Sequence, residues 1–165
     1  MPDESKNLPQ MIVLGHIHTP FKSISELPIQ GTAGDAMGTV ALLPQYAEGL
    51  SDLDGFDRIW VLYMMPRPEK MQMMIIPRLD GLPRGVFATR SPTRPNPIGM
   101  ACVKLLKVQG CTLHVQGVDM LDSVSLVDIK PYVPRFDSYE DAWAGWLEHR
   151  IPHEQAYKDR GRKKK

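Results

Sequence analysis

Between Arg84 and Met100 the chain reads Arg-Gly-Val-Phe-Ala-Thr-Arg-Ser-Pro-Thr-Arg-Pro-Asn-Pro-Ile-Gly-Met, its densest run of chemically useful side chains. Arg90 and Arg94 offer guanidiniums whose planar donors suit a carboxylate or a phosphate, and the Asn96 amide suits a base edge or an amino group. Ser91-Pro92, Arg94-Pro95 and Asn96-Pro97 stiffen the backbone between them. Each proline fixes its own φ and pushes the preceding residue to extended angles. Donors on such a loop have little freedom left to lose when a ligand arrives. A rigid hairpin with surface arginines has the same composition. The interleaving of three proline steps with three polar donors favours a binding loop, with Arg94 and Asn96 facing substrate.

Asp119 and Asp122 form a second constellation, flanking a turn after one strand, and the next strand ends in Lys130 and Tyr132. A carboxylate at such a turn can accept from a ribose hydroxyl or an ammonium group, or it can simply cap the turn. The spacing leaves both open. His16-x-His18 and His149-x-x-x-His153 have ligand-like spacing, but no cysteine or acidic cluster completes either set and Pro152 distorts the second, so no metal is expected. Gly31 to Gly38 lacks the Gly-Lys-Ser/Thr ending of a phosphate loop. Cys102 and Cys111 are too few for a disulfide scaffold or a four-thiolate site and are read as structural.

Fifteen prolines and thirteen glycines keep the elements that position these residues short. Strands are expected at Met11–Gly15, Thr39–Leu43, Arg58–Met65, Met71–Ile76, Gly85–Thr89, Gly99–Val108, Thr112–Val118 and Leu126–Ile129, with a helical turn near Tyr46–Leu53. Arg58–Met65 is apolar on both faces, which suggests a central strand covered twice. Short strands separated by turn signals, with no long helices and no G-x-G-x-x-G, predict a mainly β fold of barrel or sandwich type. One longer helix is predicted over 138–150, capped by Ser138 and burying Ala142, Trp143, Trp146 and Leu147.

The length of 165 residues suits a single domain, with a core over 11–136 followed by the helix. A hydrophobic share of 42% against 24% charged is that of a folded globular chain. No apolar run nears the roughly 20 residues of a membrane-spanning helix, so no membrane is expected. The polar start MPDESKNLPQ resembles neither a signal nor a transit peptide, which predicts a cytoplasmic protein. Residues 158–165 hold six basic groups and one acid, a net +5 on a chain whose total is +1, so the remainder carries −4. A basic tail on an acidic body can reach for phosphates.

The stretch Gly85 to Met100 closely resembles the signature of the tRNA N6-threonylcarbamoyladenosine methyltransferase family, the TsaA-like domain. Gly15-x-Ile-x-Thr-Pro-Phe21, Pro28-x-Gln30, Glu48-Gly-Leu50, Leu53-x-Gly-Phe56, Ile59-Trp-Val-Leu62 and Asp128-Ile-Lys-Pro-Tyr-Val-Pro134 follow in the same order. The resemblance implies a small β-barrel that binds S-adenosylmethionine, acts as a homodimer and methylates N6 of threonylcarbamoylated adenosine at tRNA position 37. It places cofactor contacts on Pro28, Ile29 and Gln30, on Arg67, on Arg90, and on Asp119, Met120, Leu121 and Asp122. In that setting Asp122 is the candidate proton acceptor, with Lys130 and Tyr132 orienting the substrate. Family members commonly carry His where this chain has Pro66, and Asp-Gly-Thr-Pro where it has Asp122-Ser-Val-Ser125. Longer members add a C-terminal domain that helps hold tRNA, a part the basic tail is expected to replace. Two other readings stay open: a methyltransferase of this fold with a different nucleic-acid or small-molecule acceptor, and a non-catalytic S-adenosylmethionine sensor.

Overall fold

Inward-facing residues recur at every second position of the longest apolar stretch: Ile59, Val61 and Tyr63 are 0%, 1% and 7% exposed. Their strand is one of eight in the computed structural model, which describes residues 10–28, 34–77 and 81–149. The strands are β1 (Gly15–His18), β2 (Met37–Leu42), β3 (Arg58–Met64), β4 (Met74–Ile75), β5 (Arg84–Gly85), β6 (Ile98–Gln109), β7 (Thr112–Gln116) and β8 (Val124–Pro131). Six of them close a barrel in the order β1-β2-β7-β6-β3-β8, and β4 and β5 form a separate two-stranded flap. Closure leaves no exposed sheet edge. It also lets Ile17, Val40, Ile59, Val103, Leu113, Val115 and Leu126 meet inside, all 0% exposed. Each such side chain contributes roughly 1.5–3 kcal/mol on burial.

All neighbouring barrel strands are antiparallel. Successive connections therefore alternate between the two open ends. His18, Met64 and Gln116, where β1, β3 and β7 end, share the upper rim with Met37, Ile98 and Val124, where β2, β6 and β8 begin. The described parts of the connections 19–36 and 65–97 and the connection 117–123 start and end on that rim. The connections 43–57 and 110–111 lie on the lower one, where the chain also leaves β8.

Several sequence expectations are corrected. Met11, Ile12 and Val13 are 53%, 60% and 41% exposed, and the first strand starts only at Gly15, where pairing with Leu42 and Leu126 begins. Among the described residues the outer face of β3 is half-buried rather than fully covered; Trp60 is met edge-on by Tyr132 at 5.7 Å. Met71–Ile76 and Gly85–Thr89 shrink to the flap, and Val86–Ala88 winds into a 3-10 turn. The helix predicted over 138–150 is absent from its described part: a one-turn α1 (Pro134–Asp137) precedes it, and a 3-10 segment, Gly145–His149, closes it. Gly145 adopts φ +61°, which no helix interior accommodates, and Trp143 stays 59% exposed.

Gly99 of β6 lies opposite Tyr63 of β3, and a Cβ there would enter the phenol ring. Gly99→Ala is expected to destabilise the barrel by about 1–3 kcal/mol through overpacking, read as a lower urea midpoint. An unchanged midpoint would show that the ring has room to move.

Candidate functional site

The turn 117–123 joins β7 to β8, and its backbone is stitched to the connection after β1. Asp122 N–H donates to the Phe21 carbonyl and Ser123 N–H to the Ile17 carbonyl, both at 2.8 Å. The Thr19 hydroxyl donates to the Met120 carbonyl at 2.9 Å within the buried interior. The Met120 side chain is itself core at 2% exposure, so only its backbone faces the rim chemistry. Ser123 holds φ +63°, the left-handed conformation for which glycine is the easy choice. The related Asp-Gly-Thr-Pro sequences have glycine there. The departure to serine therefore keeps the turn geometry, and the Ser123 hydroxyl donates to Asp122 Oδ2 at 3.1 Å.

Asp122 is heavily engaged. Lys22 Nζ lies 2.5 Å from Oδ2, Thr19 N–H donates to Oδ1 at 3.0 Å, and His18 Nδ1 stands 3.5 Å away. The Lys22 ammonium above all, then the Thr19 amide and the Ser123 hydroxyl, hold its carboxyl well below the usual carboxylate range, against a smaller opposing effect of burial. A carboxylate so stabilised in its ionised form is a weak proton acceptor. The structure thus recasts the candidate base as an anchor that ties the 19–28 connection to the 117–123 turn.

Arg94 undergoes a similar change. Its Nε donates to the Ser91 carbonyl at 3.0 Å, and its Nη2 donates to the carbonyls of Val86 at 2.9 Å and Thr89 at 2.5 Å. The guanidinium expected to face substrate instead braces its own loop. Ser91 and Thr93 hydroxyls pair at 2.9 Å, and Gln72 N–H donates to the Thr93 carbonyl at 3.0 Å. Met65 N–H donates to the Pro97 carbonyl at 2.7 Å and fixes the loop's far end beside β3. Arg90, Asn96 and Arg67 remain exposed on the same rim.

Tyr63 was not among the sequence candidates, because its inward position reads as core. Its buried phenol lies within electrostatic reach of both Asp119 and Arg90. Burial first, and then the Asp119 charge, push its ionisation far up, with Arg90 opposing. The phenol stays protonated at neutral pH and can donate. The only sequence signal was a hydroxylated ring one residue from the end of an apolar strand.

Two clefts meet at Asp122. One of about 330 Å³ is walled by Met64, Met65, Pro66, Leu121 and Ser125. The other, of about 480 Å³, is walled by His18, Thr19, Lys22, Met37 and His114. Pro66 makes the first wall apolar at that point. Pro28 is half-buried on the connection after β1, while Ile29 and Gln30 lie outside the described residues, as do His153 and the basic tail. Lys130 and Tyr132 do not join the site within one chain. Lys130 pairs with Trp60, and Tyr132 N–H donates to the Arg58 carbonyl, on the lower rim. At about 3.3 Å per residue, β8 carries them some 20 Å from the Asp122 turn. Lys130 instead meets Asp128 at 2.7 Å. Among the described residues no group of three or more His, Cys, Asp or Glu side chains could hold a metal ion. Burial raises the Cys102 thiol, in keeping with a structural thiol, and both cysteines are free.

Because the carboxyl of Asp122 ionises more readily folded than unfolded, its contribution to stability is complete above the ordinary value of 3.8 and is lost as pH falls below it. Asp122→Asn is expected to melt earlier than wild type at neutral pH and to converge with it in strong acid. Parallel melting curves from pH 7 to pH 2 would show that Asp122 anchors nothing.

Comparison with known proteins agrees with this architecture. A probable S-adenosyl-L-methionine-binding protein of Pyrococcus abyssi is 42% identical over 159 residues, covering 94% of this chain and 86% of that protein. The tRNA (adenine(37)-N6)-methyltransferase of Escherichia coli is 36% identical over 146 residues, covering 82% of this chain and 62% of the enzyme. The crystal structure of TrmO from Pseudomonas aeruginosa superposes with a TM-score of 0.69 at 32% identity, over 84% of this chain and 62% of that one. The chain thus spans under two thirds of the latter two. Residues 16–138 match the tRNA-methyltransferase O N-terminal domain, and with that match covering most of its length the chain belongs to that family.

Proposed function

We propose that the chain is an S-adenosylmethionine-dependent methyltransferase domain that binds its methyl donor on the upper rim and methylates N6 of threonylcarbamoylated adenosine at tRNA position 37. The observation that carries this reading is the convergence on one rim of Pro28, Arg67, Arg90 and the Asp119–Asp122 turn, with apolar walls at Met64, Met65 and Leu121. That donor set fits the molecule. Arg90 offers a cation to a carboxylate and Asp119 an anion to an ammonium group, and the two clefts that meet at Asp122 open along the turn that carries Asp119. Bound there, S-adenosylmethionine supplies an electrophilic methyl group on a sulfonium.

The protein's part is chiefly position, where effective molarities can reach on the order of 10⁵ M. Arg94 keeps the loop rigid and Arg90 grips the donor. The neutral Tyr63 phenol donates a hydrogen bond beside Asp119. Carbamoylation acidifies the acceptor N–H, so its proton can pass to solvent at the open rim as the methyl group arrives. Action in the cytoplasm as a homodimer belongs to the same reading. Trp60, Leu62 and Met100 leave an apolar, partly exposed outer face that a second copy can cover. The basic tail adds attraction for RNA.

A second acceptor, another nucleic acid or a small molecule, is favoured by one observation: Pro66 removes a titratable group from the cleft wall. Labelled S-adenosylmethionine incubated with tRNA and, separately, with a metabolite pool is expected to mark only N6-methylated threonylcarbamoyladenosine, identified by nucleoside mass spectrometry. Label in the metabolites alone would refute the tRNA assignment. Arg90→Ala is expected to weaken S-adenosylmethionine binding at least about tenfold by calorimetry. Unchanged affinity would remove Arg90 from the site.

A further inference from the structure

Beyond β8 the chain leaves the lower rim, yet it returns to the loop that bears Arg90. Its first turn, Pro134–Asp137, brings Asp137 within electrostatic reach of Cys102 on β6. Gly145, at φ +61°, then turns the chain into the 3-10 segment Gly145–His149. There Trp146 Nε1 donates to the Ala88 carbonyl at 2.8 Å, a bond spanning 58 positions of sequence. The Arg84 guanidinium stands over the same indole, 5.3 Å from its centroid. Arg84 and Ala88 bracket the short run from β5 through the 3-10 turn that launches the Arg90 loop. The carbonyls of Val86 and Thr89 in the same run accept from Arg94. The run is therefore held twice, by Arg94 from within the loop and by Trp146 from the far end of the chain.

We infer that Trp146 is a positioning residue for the methyl-donor site, fixing the Val86–Ala88 turn and through it the direction in which Arg90 leaves Thr89. The inference rests on the methyltransferase reading above. Trp146 lies beyond the residues 16–138 that match the family domain, though within the stretch aligned to the Pyrococcus abyssi protein. It acts through Arg90 and touches no reacting group.

Trp146→Phe keeps an aromatic face for Arg84 and removes the indole N–H, and Trp146→Ala removes both. Hydrogen exchange at the loop amides between Thr89 and Ile98 is expected to quicken about tenfold in Trp146→Ala and less in Trp146→Phe, with β3 and β8 unchanged. S-adenosylmethionine affinity, measured by calorimetry on the full chain, is expected to fall about three- to tenfold in Trp146→Ala. In an Arg90→Ala background the same substitution is expected to change affinity less than about twofold, a non-additivity that a merely structural role would not produce. Unchanged loop exchange, or an equal loss of affinity with and without Arg90, overturns the inference. Wild-type protein that takes up no S-adenosylmethionine overturns the functional reading and the positioning role with it. Wild-type binding that Trp146→Ala leaves intact overturns the positioning role alone.

Discussion

Six strands that alternate in direction around a closed barrel can connect only at alternating ends, and the candidate site follows from that constraint. The three upper connections start after His18, Met64 and Gln116, positions scattered through the sequence. Closure brings them onto one rim, so Pro28, Arg67, Arg90 and Asp122 lie on connections at the same end of the barrel although long stretches of core strand separate them. The same alternation sends Lys130 and Tyr132 to the opposite end, within one strand of Asp122 yet about 20 Å from its turn.

On that rim the charges divide into those that fix the backbone and those that face outward. Arg94 donates to three loop carbonyls, and Asp122 gathers Lys22, Thr19 and Ser123 around one carboxylate. Both side chains reduce the ordering that a ligand would otherwise have to impose. Arg90 and Arg67, by contrast, are exposed. Tyr63 belongs to both the core and the rim. Its ring needs the missing Cβ of Gly99 to fit, and its hydroxyl end feels the charges of Asp119 and Arg90.

Family membership and local chemistry bear on different questions. The match over residues 16–138 covers the barrel and its rim connections. Ser123 preserves a left-handed turn that the related sequences make with glycine, so that substitution leaves the rim's shape alone. Pro66 alters the chemistry of a cleft wall without altering the strand before it.

The amino-acid sequence by itself determined a mainly β chain of short strands, of barrel or sandwich type, and the proline-braced loop. These depend on local periodicity and on the covalent geometry of proline, which act over a few residues. It also marked Arg90 and the Asp119–Asp122 turn as two separate candidates, which only the family resemblance joined in one expected cofactor site. The tertiary structure alone decided which donors were already engaged, because Arg94 finds its carbonyls only once its own loop has folded back on itself, and the ammonium that meets Asp122 comes from a distant segment of the chain. It decided, too, that the tryptophan stripe after Ser138 would not become a helix. Trp143 and Trp146 fit helical spacing, but Gly145 between them takes a left-handed φ, and Trp146 finds its partners at Arg84 and Ala88, contacts that no local pattern encodes.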